Sequence, residues 1–266
     1  MRGILYILIL MLQLQATTTL SVCGTGDSQE LLKALATAYE KQDKTAKIII
    51  LPSIGSGGGI RSVAFDKCDL GRVARKLYKS EEKFHLNYVL LAKSAVVFVT
   101  NPNIKKIKNI TTKELVDIFD GTVKRWNELD KETEGKIFLA RRELGDSSSL
   151  VLKNHIKEMK KIKKPAGKVL FTTQKNLRTI CKYKNTIGYL PYSEVIHSKL
   201  NILNFNGVEA SVKNILENRY ILTIPFGLVY KGELSGLSKE FVSFIESEEG
   251  KKIILEYGAV PNEVYN

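Results

Sequence analysis

From Thr18 onwards, the chain alternates short apolar runs with segments of helical periodicity, and turns rich in glycine join them. Residues 20–23 and 48–51 are apolar runs of strand length, and between them the segment 29–42 has apolar side chains at helical spacing. Asp27 and Ser28 are both suitable as the N-cap of that helix. A strand, a turn and a helix in this repeated order favour parallel strands with right-handed crossovers. The pattern therefore predicts an α/β fold.

Two long apolar segments predict that the chain is divided into two lobes. Residues 88–100 run into the break Asn101-Pro-Asn103, which suits passage from one lobe to the other, and residues 220–230 form a second extended run. A helix is predicted over residues 238–257, closed by Gly258. We expect two α/β lobes joined by two crossing strands, with the carboxyl-terminal segment back in the first lobe. The expected bounds are residues 17–92 with 220–266 for lobe 1 and residues 93–219 for lobe 2.

The first sixteen residues predict export. Arg2 precedes an apolar run over residues 4–14, which is too short to span a bilayer but is typical of a signal peptide, here residues 1–16 with cleavage after Ala16. We therefore expect a periplasmic protein, secreted across the inner membrane. Lipid attachment at Cys23 is an alternative, and the bulk of Val22 at the cleavage position disfavours it.

Cysteine content and charge restrict the possible partners. Three cysteines in 266 residues are too few for a disulfide scaffold, so we predict small buried thiols. A Cys23–Cys68 bridge is the alternative, because both residues end apolar runs before glycine-containing turns. The net charge of +13 favours anionic partners, but the densest basic run, residues 157–164, contains no aromatic side chain and predicts a solvated helix end. Together with export, this makes nucleic acid an unexpected partner.

Three loops of similar design point to an anion site. Each connects a predicted strand to the amino end of a predicted helix, where free N–H groups and the helix dipole attract anions and small hydroxyl side chains add donors. In α/β folds, ligands bind at the carboxyl ends of strands. We therefore expect one small anion in a cleft, with Arg142 as its charged partner. The loops are Gly24-Thr-Gly-Asp-Ser-Gln29, Ile54-Gly-Ser-Gly-Gly-Gly59 and Gly145-Asp-Ser-Ser-Ser149.

Motif by motif, the sequence does not support catalysis. Ile54 stands two residues before Ser56, where a nucleophile elbow needs glycine, and neither a Walker phosphate loop nor a complete dinucleotide-binding fingerprint occurs. The three histidines are scattered, without the spacing of metal ligands. We expect no catalytic residue, no metal and no cofactor. A hydrolase that uses Ser56 or Ser147 is the less favoured alternative.

Five further motifs follow one another over about residues 20–261. They are Ser53-Ile-Gly-Ser-Gly-Gly-Gly59, Cys68-Asp-Leu-Gly71, Leu115-Val-Asp-Ile-Phe-Asp-Gly121 with Trp126-Asn127, Asn185-Thr-Ile-Gly-Tyr189, and Gly250 to Gly258-Ala-Val-Pro261. In order and spacing they resemble the phosphate-type substrate-binding proteins of ABC uptake systems. The resemblance implies a type II periplasmic-binding-protein fold, in which two lobes close like a hinge over the ligand. It also implies that the protein, expected to be a monomer, captures inorganic phosphate or a similar oxyanion and delivers it to an ABC permease in the membrane.

The same resemblance implies a ligand-binding role for residues in each loop. In the family, the first loop offers a hydroxyl and backbone N–H groups, the second offers a serine beside bare backbone, and the third offers an arginine and hydroxyls. The corresponding residues here are Ser28 and Gln29, then Ser56 and Gly57, and finally Arg142, Ser147 and Ser148.

Three positions depart from the family pattern. Leu144 replaces an aspartate that would steady the arginine, Asp146 replaces a ligand serine, and Ala74 stands where the phosphate proteins often have a ligand aspartate or serine. A carboxylate acceptor allows a dry site to prefer protonated phosphate over sulfate, which has no proton to donate. We therefore expect Asp146 to supply the acceptor from the opposite lobe, with Arg75 offsetting its charge.

Two alternatives follow from these departures. Asp146 is equally suited to cap its own helix, which is a common role for aspartate. The protein as a whole is also compatible with a divergent family member that acts as an anion sensor or adhesion module.

Overall fold

The computed structural model describes residues 17–262, so the predicted signal peptide lies outside the described residues. The strands are β1 (Thr18–Gly24), β2 (Ala46–Ser53), β3 (Leu70–Val73), β4 (Leu86–Thr100), β5 (Asn109–Ile110), β6 (Phe138–Arg142), β7 (Lys168–Leu170), β8 (Thr186–Pro191), β9 (Asn201–Phe205), β10 (Thr223–Lys231) and β11 (Val260–Pro261). The α-helices are α1 (Gln29–Gln42), α2 (Gly55–Ala64), α3 (Thr112–Asp120), α4 (Ser147–His155), α5 (Thr173–Lys182), α6 (Val212–Leu216), α7 (Gly236–Glu246) and α8 (Glu248–Glu256). Short 3₁₀ helices span Lys79–Phe84, Trp126–Glu128, Lys157–Lys161 and Tyr192–Glu194. Among the helices of residues 17–262, none is both long and apolar enough to cross a bilayer.

One mixed sheet runs through the molecule in the order β2-β1-β3-β10-β4-β8-β6-β7. β1 is parallel to β2 and β3, and β6 is parallel to β7 and β8, whereas β10 is antiparallel to β3 and β4. We call the half that contains β2, β1, β3 and β10 the first lobe, and the half that contains β8, β6 and β7 the second lobe. The predicted α/β class with two lobes is confirmed.

β4 is the strand that connects the two lobes. It pairs with β10 up to Ala95 and with β8 from Val96 onwards. The segment that leads back to the first lobe lies beside β4, just before β10. There the Val96 N–H donates to the Leu222 carbonyl oxygen at 2.7 Å. The first passage therefore occurs inside a strand, and the predicted passage at Asn101-Pro-Asn103 is wrong. The reason is the length of β4: its fifteen residues allow different strands to pair with its two ends.

The glycine stretch is helical and does not form a loop. α2 begins at Gly55, so the predicted loop from Ile54 to Gly59 is wrong from its second residue onwards. A Cβ atom at Gly59 would lie 2.8 Å from the Cα atom of Gly24 and 3.2 Å from the carbonyl oxygen of Cys23. The backbone of α2 therefore packs directly against the carboxyl end of β1, which only glycine permits at this distance.

The carboxyl-terminal helices pack on the first lobe, as predicted. The ring of Tyr39 in α1 contacts Phe241 and Phe244 of α7 edge-on, with centroid distances of 5.9 and 5.5 Å. The predicted single helix is in fact two, because the Ser247 hydroxyl accepts a hydrogen bond from the Gly250 N–H and caps α8.

All three cysteines are free thiols, so the alternative Cys23–Cys68 bridge is not formed. Cys23 and Cys68 are buried, as predicted, whereas Cys181 is exposed. Burial, followed by a hydrogen bond to the Cys68 thiol, raises the pKa of Cys23 to about 12. Both buried thiols are therefore packing residues of the first lobe.

Candidate anion-binding site

The second and third predicted loops meet across the cleft between the lobes. The hydroxyls of Ser56 and Ser147, in the first turns of α2 and α4, lie 3.4 Å apart. Ser56 Oγ also accepts a hydrogen bond from the Ala74 N–H at 3.0 Å, just beyond the end of β3. The amino ends of two helices from different lobes are therefore brought together, as the loop pattern predicts.

The first loop faces the second lobe through α5. Thr173 Oγ1 donates to Asp27 Oδ1 at 2.7 Å, and Gln174 Nε2 donates to the Gly26 carbonyl oxygen at 3.1 Å. Ser28 is the N-cap residue of α1, but its side chain makes no capping hydrogen bond. Since Asp27 and Ser28 are both buried, the loop places a carboxyl and a hydroxyl inside the cleft.

Arg142 is the last residue of β6, and its side chain is buried in the second lobe. Nη2 donates to Asp146 Oδ2 at 2.8 Å, and Nη1 donates to the Leu170 carbonyl oxygen at 3.1 Å. Burial by itself lowers the pKa of the guanidinium, but the carboxylates of Asp146 and Asp27 outweigh that effect and the pKa is raised. Arg142 is thus a permanent cation held in a single orientation.

Asp146 has two protein donors. Its Oδ1 accepts from the Ser149 N–H at 3.2 Å, which caps α4, while its Oδ2 accepts from Arg142. The carboxylate therefore steadies the arginine, the role that Leu144 cannot perform. This arrangement favours the capping alternative over a direct contact between Asp146 and a ligand.

The predicted pairing of Arg75 with Asp146 is wrong. Arg75 Nη1 and Nη2 each donate to a Glu81 carboxylate oxygen at 2.7 Å, and the guanidinium lies 3.7 Å from the centroid of the Tyr78 ring. Glu81 is a nearby partner in the same lobe, so Arg75 is held on the first lobe. A Cβ atom at Gly57 would lie 3.8 Å from Arg75 Nη2, which puts the arginine at the border of the second loop.

Arg72, which sequence reasoning missed, braces the first two loops from inside the first lobe. Its side chain has no exposed surface, and burial lowers its pKa to about 10. It donates at 2.8 Å to the Val22 carbonyl oxygen, at 2.6 Å to that of Leu51, at 3.0 Å to Gln29 Oε1, and also to the Thr25 carbonyl oxygen. Oε1 of Gln29 is therefore engaged, and the Gln29 N–H donates to the Gly26 carbonyl oxygen at 3.4 Å. The available signal was an arginine inside the apolar segment 70–73.

Five buried polar atoms in and next to the first and third loops have no hydrogen-bond partner among the described residues. They are Asp27 Oδ2, Ser28 Oγ, Arg142 Nε, Glu143 Oε2 and Ser148 Oγ. An unsatisfied buried polar atom costs about 1–3 kcal/mol, so such atoms are rare unless a ligand or water satisfies them. Asp27 interacts electrostatically with Asp146 and Arg142, which links the first loop to the third. The arrangement is suited to a small oxyanion that several short side chains contact together.

Asp27 is a second buried residue of the cleft that the loop pattern did not single out. Its side chain is 1% exposed, and burial, followed by the neighbouring Asp146 carboxylate, raises its pKa to about 7. Sequence reasoning treated Asp27 only as a capping residue. The available signal was a carboxyl group directly before Ser28 in a loop predicted to bind an anion.

Glu194 is a third buried carboxyl group at the cleft. Its Oε1 accepts from the Glu30 N–H at 2.9 Å, in the first turn of α1. Burial raises the pKa of Glu194 to about 8. One of the free N–H groups at the amino end of α1 is therefore already occupied.

No cluster of side chains suited to a metal ion occurs within residues 17–262. A separate cavity of about 950 Å³ lies in the second lobe, lined by residues that include Leu139, Leu170 and the five lysines Lys124, Lys136, Lys168, Lys175 and Lys184.

Comparisons with known proteins agree with this fold. A family model described as a PBP superfamily domain matches residues 13–249. The phosphate-binding protein PstS of Bacillus subtilis is 28% identical over 93% of this chain and 82% of its own length, and that of Borreliella burgdorferi is 26% identical over 90% and 88%. Among solved structures, a phosphate ABC transporter substrate-binding protein from Clostridium perfringens, with bound phosphate, has a TM-score of 0.79 and 25% identity over 92% of this chain and 99% of that one.

Proposed function

Since this chain belongs to the PBP superfamily, we propose that it captures inorganic phosphate, or a closely related oxyanion, and delivers it to an ABC permease. It is a substrate-binding protein of the type II periplasmic-binding fold, and not an enzyme. The two curated relatives and the phosphate-bound structure from Clostridium perfringens support the choice of ligand.

One observation carries the proposal: the unpartnered buried atoms of the first and third loops, next to a permanent guanidinium cation. In a dry cleft, hydrogen bonds to an anion are charge-assisted and roughly twice as strong as neutral ones. An oxyanion between the loops would accept hydrogen bonds from Arg142 Nε and from the hydroxyls of Ser28 and Ser148. The proposed ligand-binding residues are Ser28 with Gln29, Ser56 and Gly57, and Arg142 with Ser147 and Ser148. Arg75 is proposed to border the site from the first lobe.

The two lobes are proposed to close on the ligand about β4 and the return segment beside it. We propose residues 17–92 with 220–266 as lobe 1 and residues 93–219 as lobe 2, and the change of pairing between Ala95 and Val96 supports this division. Contacts such as Ser56 with Ser147 correspond to the closed state. The protein is proposed to act as a monomer outside the cytoplasm, after removal of a signal peptide over residues 1–16 and without a lipid on Cys23.

Calorimetry on the mature chain with phosphate, sulfate, molybdate and a phosphonate tests the function. We expect one phosphate per chain and the highest affinity for phosphate. Saturation should also raise the thermal stability, because a ligand at 100 times its Kd adds about 2.7 kcal/mol to the free energy of unfolding. Absence of both the heat of binding and the stabilisation with phosphate would show that the proposed function is wrong.

Two adjacent serines provide a matched pair of variants for the site. Ser148 Oγ has no partner, whereas Ser149 Oγ lies 2.6 Å from the Tyr189 hydroxyl oxygen. Ser148→Ala should therefore raise the Kd for phosphate by about tenfold, the equivalent of one hydrogen bond to a charged group. Ser149→Ala should lower the free energy of unfolding and leave the Kd nearly unchanged. The reverse pattern would place the anion elsewhere.

A further inference from the structure

The cavity of about 950 Å³ in the second lobe is distinct from the anion cleft. It is lined by residues of β6 and β7 and by Thr186, the first residue of β8. Leu170 lies between the two sites, since it lines the cavity and its carbonyl oxygen accepts from Arg142. Sites for small organic ligands have volumes of roughly 300–1,000 Å³. The cavity therefore has room for such a molecule.

The interior of the cavity is apolar, and two aromatic rings stand at its opening. Ile118 of α3, Leu139 of β6 and Leu170 of β7 are buried side chains that line it. Phe138 and Tyr183 also line it and are 51% and 54% exposed, so the cavity opens to solvent beside them. An apolar group that enters releases water from these surfaces, which is favourable. The interior therefore selects a ligand with an apolar body.

Five lysines surround this apolar interior, and no acidic side chain is among the lining residues. All five are exposed, and none of them forms an ion pair within residues 17–262. The densest basic run of the sequence, residues 157–164, contributes none of them, so the fold itself brings them together. Lys124 follows α3, Lys136 precedes β6, Lys168 begins β7, Lys175 lies in α5 and Lys184 precedes β8.

The acidic residues near these lysines in sequence form no ion pair with them. Glu128 Oε1 accepts from the Lys124 and Arg125 N–H groups at 3.0 and 2.7 Å, which closes a turn. Glu134, two residues before Lys136, is exposed and pairs with no lysine of the described chain. The opening of the cavity is therefore positively charged, and such a surface concentrates anions.

Lysine suits both parts of an amphipathic anion. Its four-carbon stem can lie along apolar surface while the ammonium group stays in water. The stems therefore extend the apolar walls, and the charges attract an anionic headgroup at the opening and repel a cationic one. An anion without an apolar body gains only exposed charge contacts, which are individually weak.

We propose that the cavity is a second binding site of this protein, and that its ligand is a free amphipathic anion, a carboxylate with an aliphatic tail of fatty-acid type. The tail lies among Ile118, Leu139 and Leu170, and the carboxylate pairs with the lysines of the opening. The site is separate from the cleft and does not depend on the function proposed for it.

Calorimetry with monomeric laurate, below the concentration at which it forms micelles, tests the proposal. We expect one saturable site per chain. Octanoate has four fewer CH₂ groups and should bind at least about tenfold more weakly, because each fully buried CH₂ group contributes up to about fourfold in affinity. Acetate and dodecyltrimethylammonium should not bind measurably, since the first lacks the tail and the second has the opposite charge.

The single tryptophan of the chain gives an independent readout at the cavity. The Trp126 indole N–H donates to the Asn185 carbonyl oxygen at 3.1 Å, and Asn185 lines the cavity. Laurate should therefore change the tryptophan emission, with a midpoint at the Kd measured by calorimetry.

Two double variants with the same change in charge separate the cavity from general attraction to a basic protein. Lys136→Glu with Lys184→Glu reverses two charges of the opening and should raise the Kd for laurate by about tenfold or more. Lys160→Glu with Lys163→Glu reverses two exposed charges outside the cavity and should change it by no more than about twofold. Thr179→Phe fills the cavity from α5 without changing the charge and should abolish laurate binding. All three proteins should keep the parent's thermal stability and Kd for phosphate.

Absence of saturable laurate binding by the parent would overturn the proposal. So would an equal loss of laurate binding in the two double variants, a folded Thr179→Phe protein with the parent's Kd, or equally tight binding of dodecyltrimethylammonium. Binding to phosphatidylglycerol vesicles without binding of monomeric laurate would replace the cavity ligand by a membrane surface and would also overturn it. A parent that binds laurate but no phosphate supports this site and refutes only the function proposed for the cleft.

Discussion

Replacement of Arg142 by alanine gives the sharpest prediction for the site as a whole. The guanidinium is 5% exposed, donates to Asp146 and Leu170, and has one N–H without a partner. Truncation of one member of a buried, hydrogen-bonded charge pair costs about 2–5 kcal/mol. At about 1.4 kcal/mol per tenfold change, the Kd for phosphate should rise by a factor of about 30 to about 4,000. Calorimetry, or displacement titration if the heat is small, measures this change.

The neighbouring residue Arg141 is the matched control. It lies on the same strand, with its Nε donating to the Ala166 carbonyl oxygen at 2.9 Å, and successive strand residues point to opposite faces. Arg141→Ala should therefore change the Kd by no more than about twofold. Thermal unfolding of both variants separates loss of binding from loss of structure, since Arg142→Ala leaves the Asp146 carboxylate without its cation. A folded Arg142→Ala protein with the parent's affinity would refute the assignment of the cleft.

Two further predictions concern the scaffold of the site. Gly59→Ala should lower the free energy of unfolding by about 1–3 kcal/mol, because the added Cβ would be forced against the backbone of β1. Gly145→Ala is the control and should be nearly neutral, because the space around the added carbon is open. Urea denaturation measures both changes. Burial raises the pKa of Glu194 to about 8, so the folded chain binds this proton more tightly than the unfolded chain. The free energy of unfolding should therefore fall as the pH rises from about 5 to about 8, by at most about 1.4 kcal/mol per pH unit from this group, and Glu194→Gln should flatten that slope. An unchanged slope in the variant would mean that Glu194 is ionised throughout.

Local patterns in the sequence predicted most of the elements that frame the site. α1 spans the predicted residues 29–42, and Thr111 and Glu114, three residues apart in the sequence, form the capping box that opens α3. These features depend on periodicity and on contacts within one turn, which the linear sequence contains in full. Errors appear where a contact from another element changes the local preference. Glycines that by propensity break helices are helical in α2, because the backbone of β1 packs against them.

In the candidate site, too, the features that depend on neighbouring residues in the sequence were predicted, and those that depend on contacts between elements were not. Sequence reasoning selected Ser28, Ser56, Arg142 and the serines of the third loop, because anions bind at the amino ends of helices after strands. The linear sequence could not show which carboxylate oxygens of the cleft have protein donors. That outcome depends on Arg142 taking one oxygen of Asp146 and on Thr173, distant in sequence, leaving one oxygen of Asp27 unpartnered.

By itself, then, the sequence predicted an α/β chain with two lobes, three helix ends suited to an anion and an arginine before the third of them, since each of these follows from residues close together along the chain. Only the tertiary structure decided how those parts pair: Arg75 with Glu81, Arg72 with four acceptors of the first lobe, and Asp27 with a threonine of the second lobe. The physical reason is that burial and hydrogen-bond satisfaction are properties of the whole packed cleft. A carboxyl group has the same character in any loop until its neighbours in space determine whether it is solvated, paired or left for a ligand.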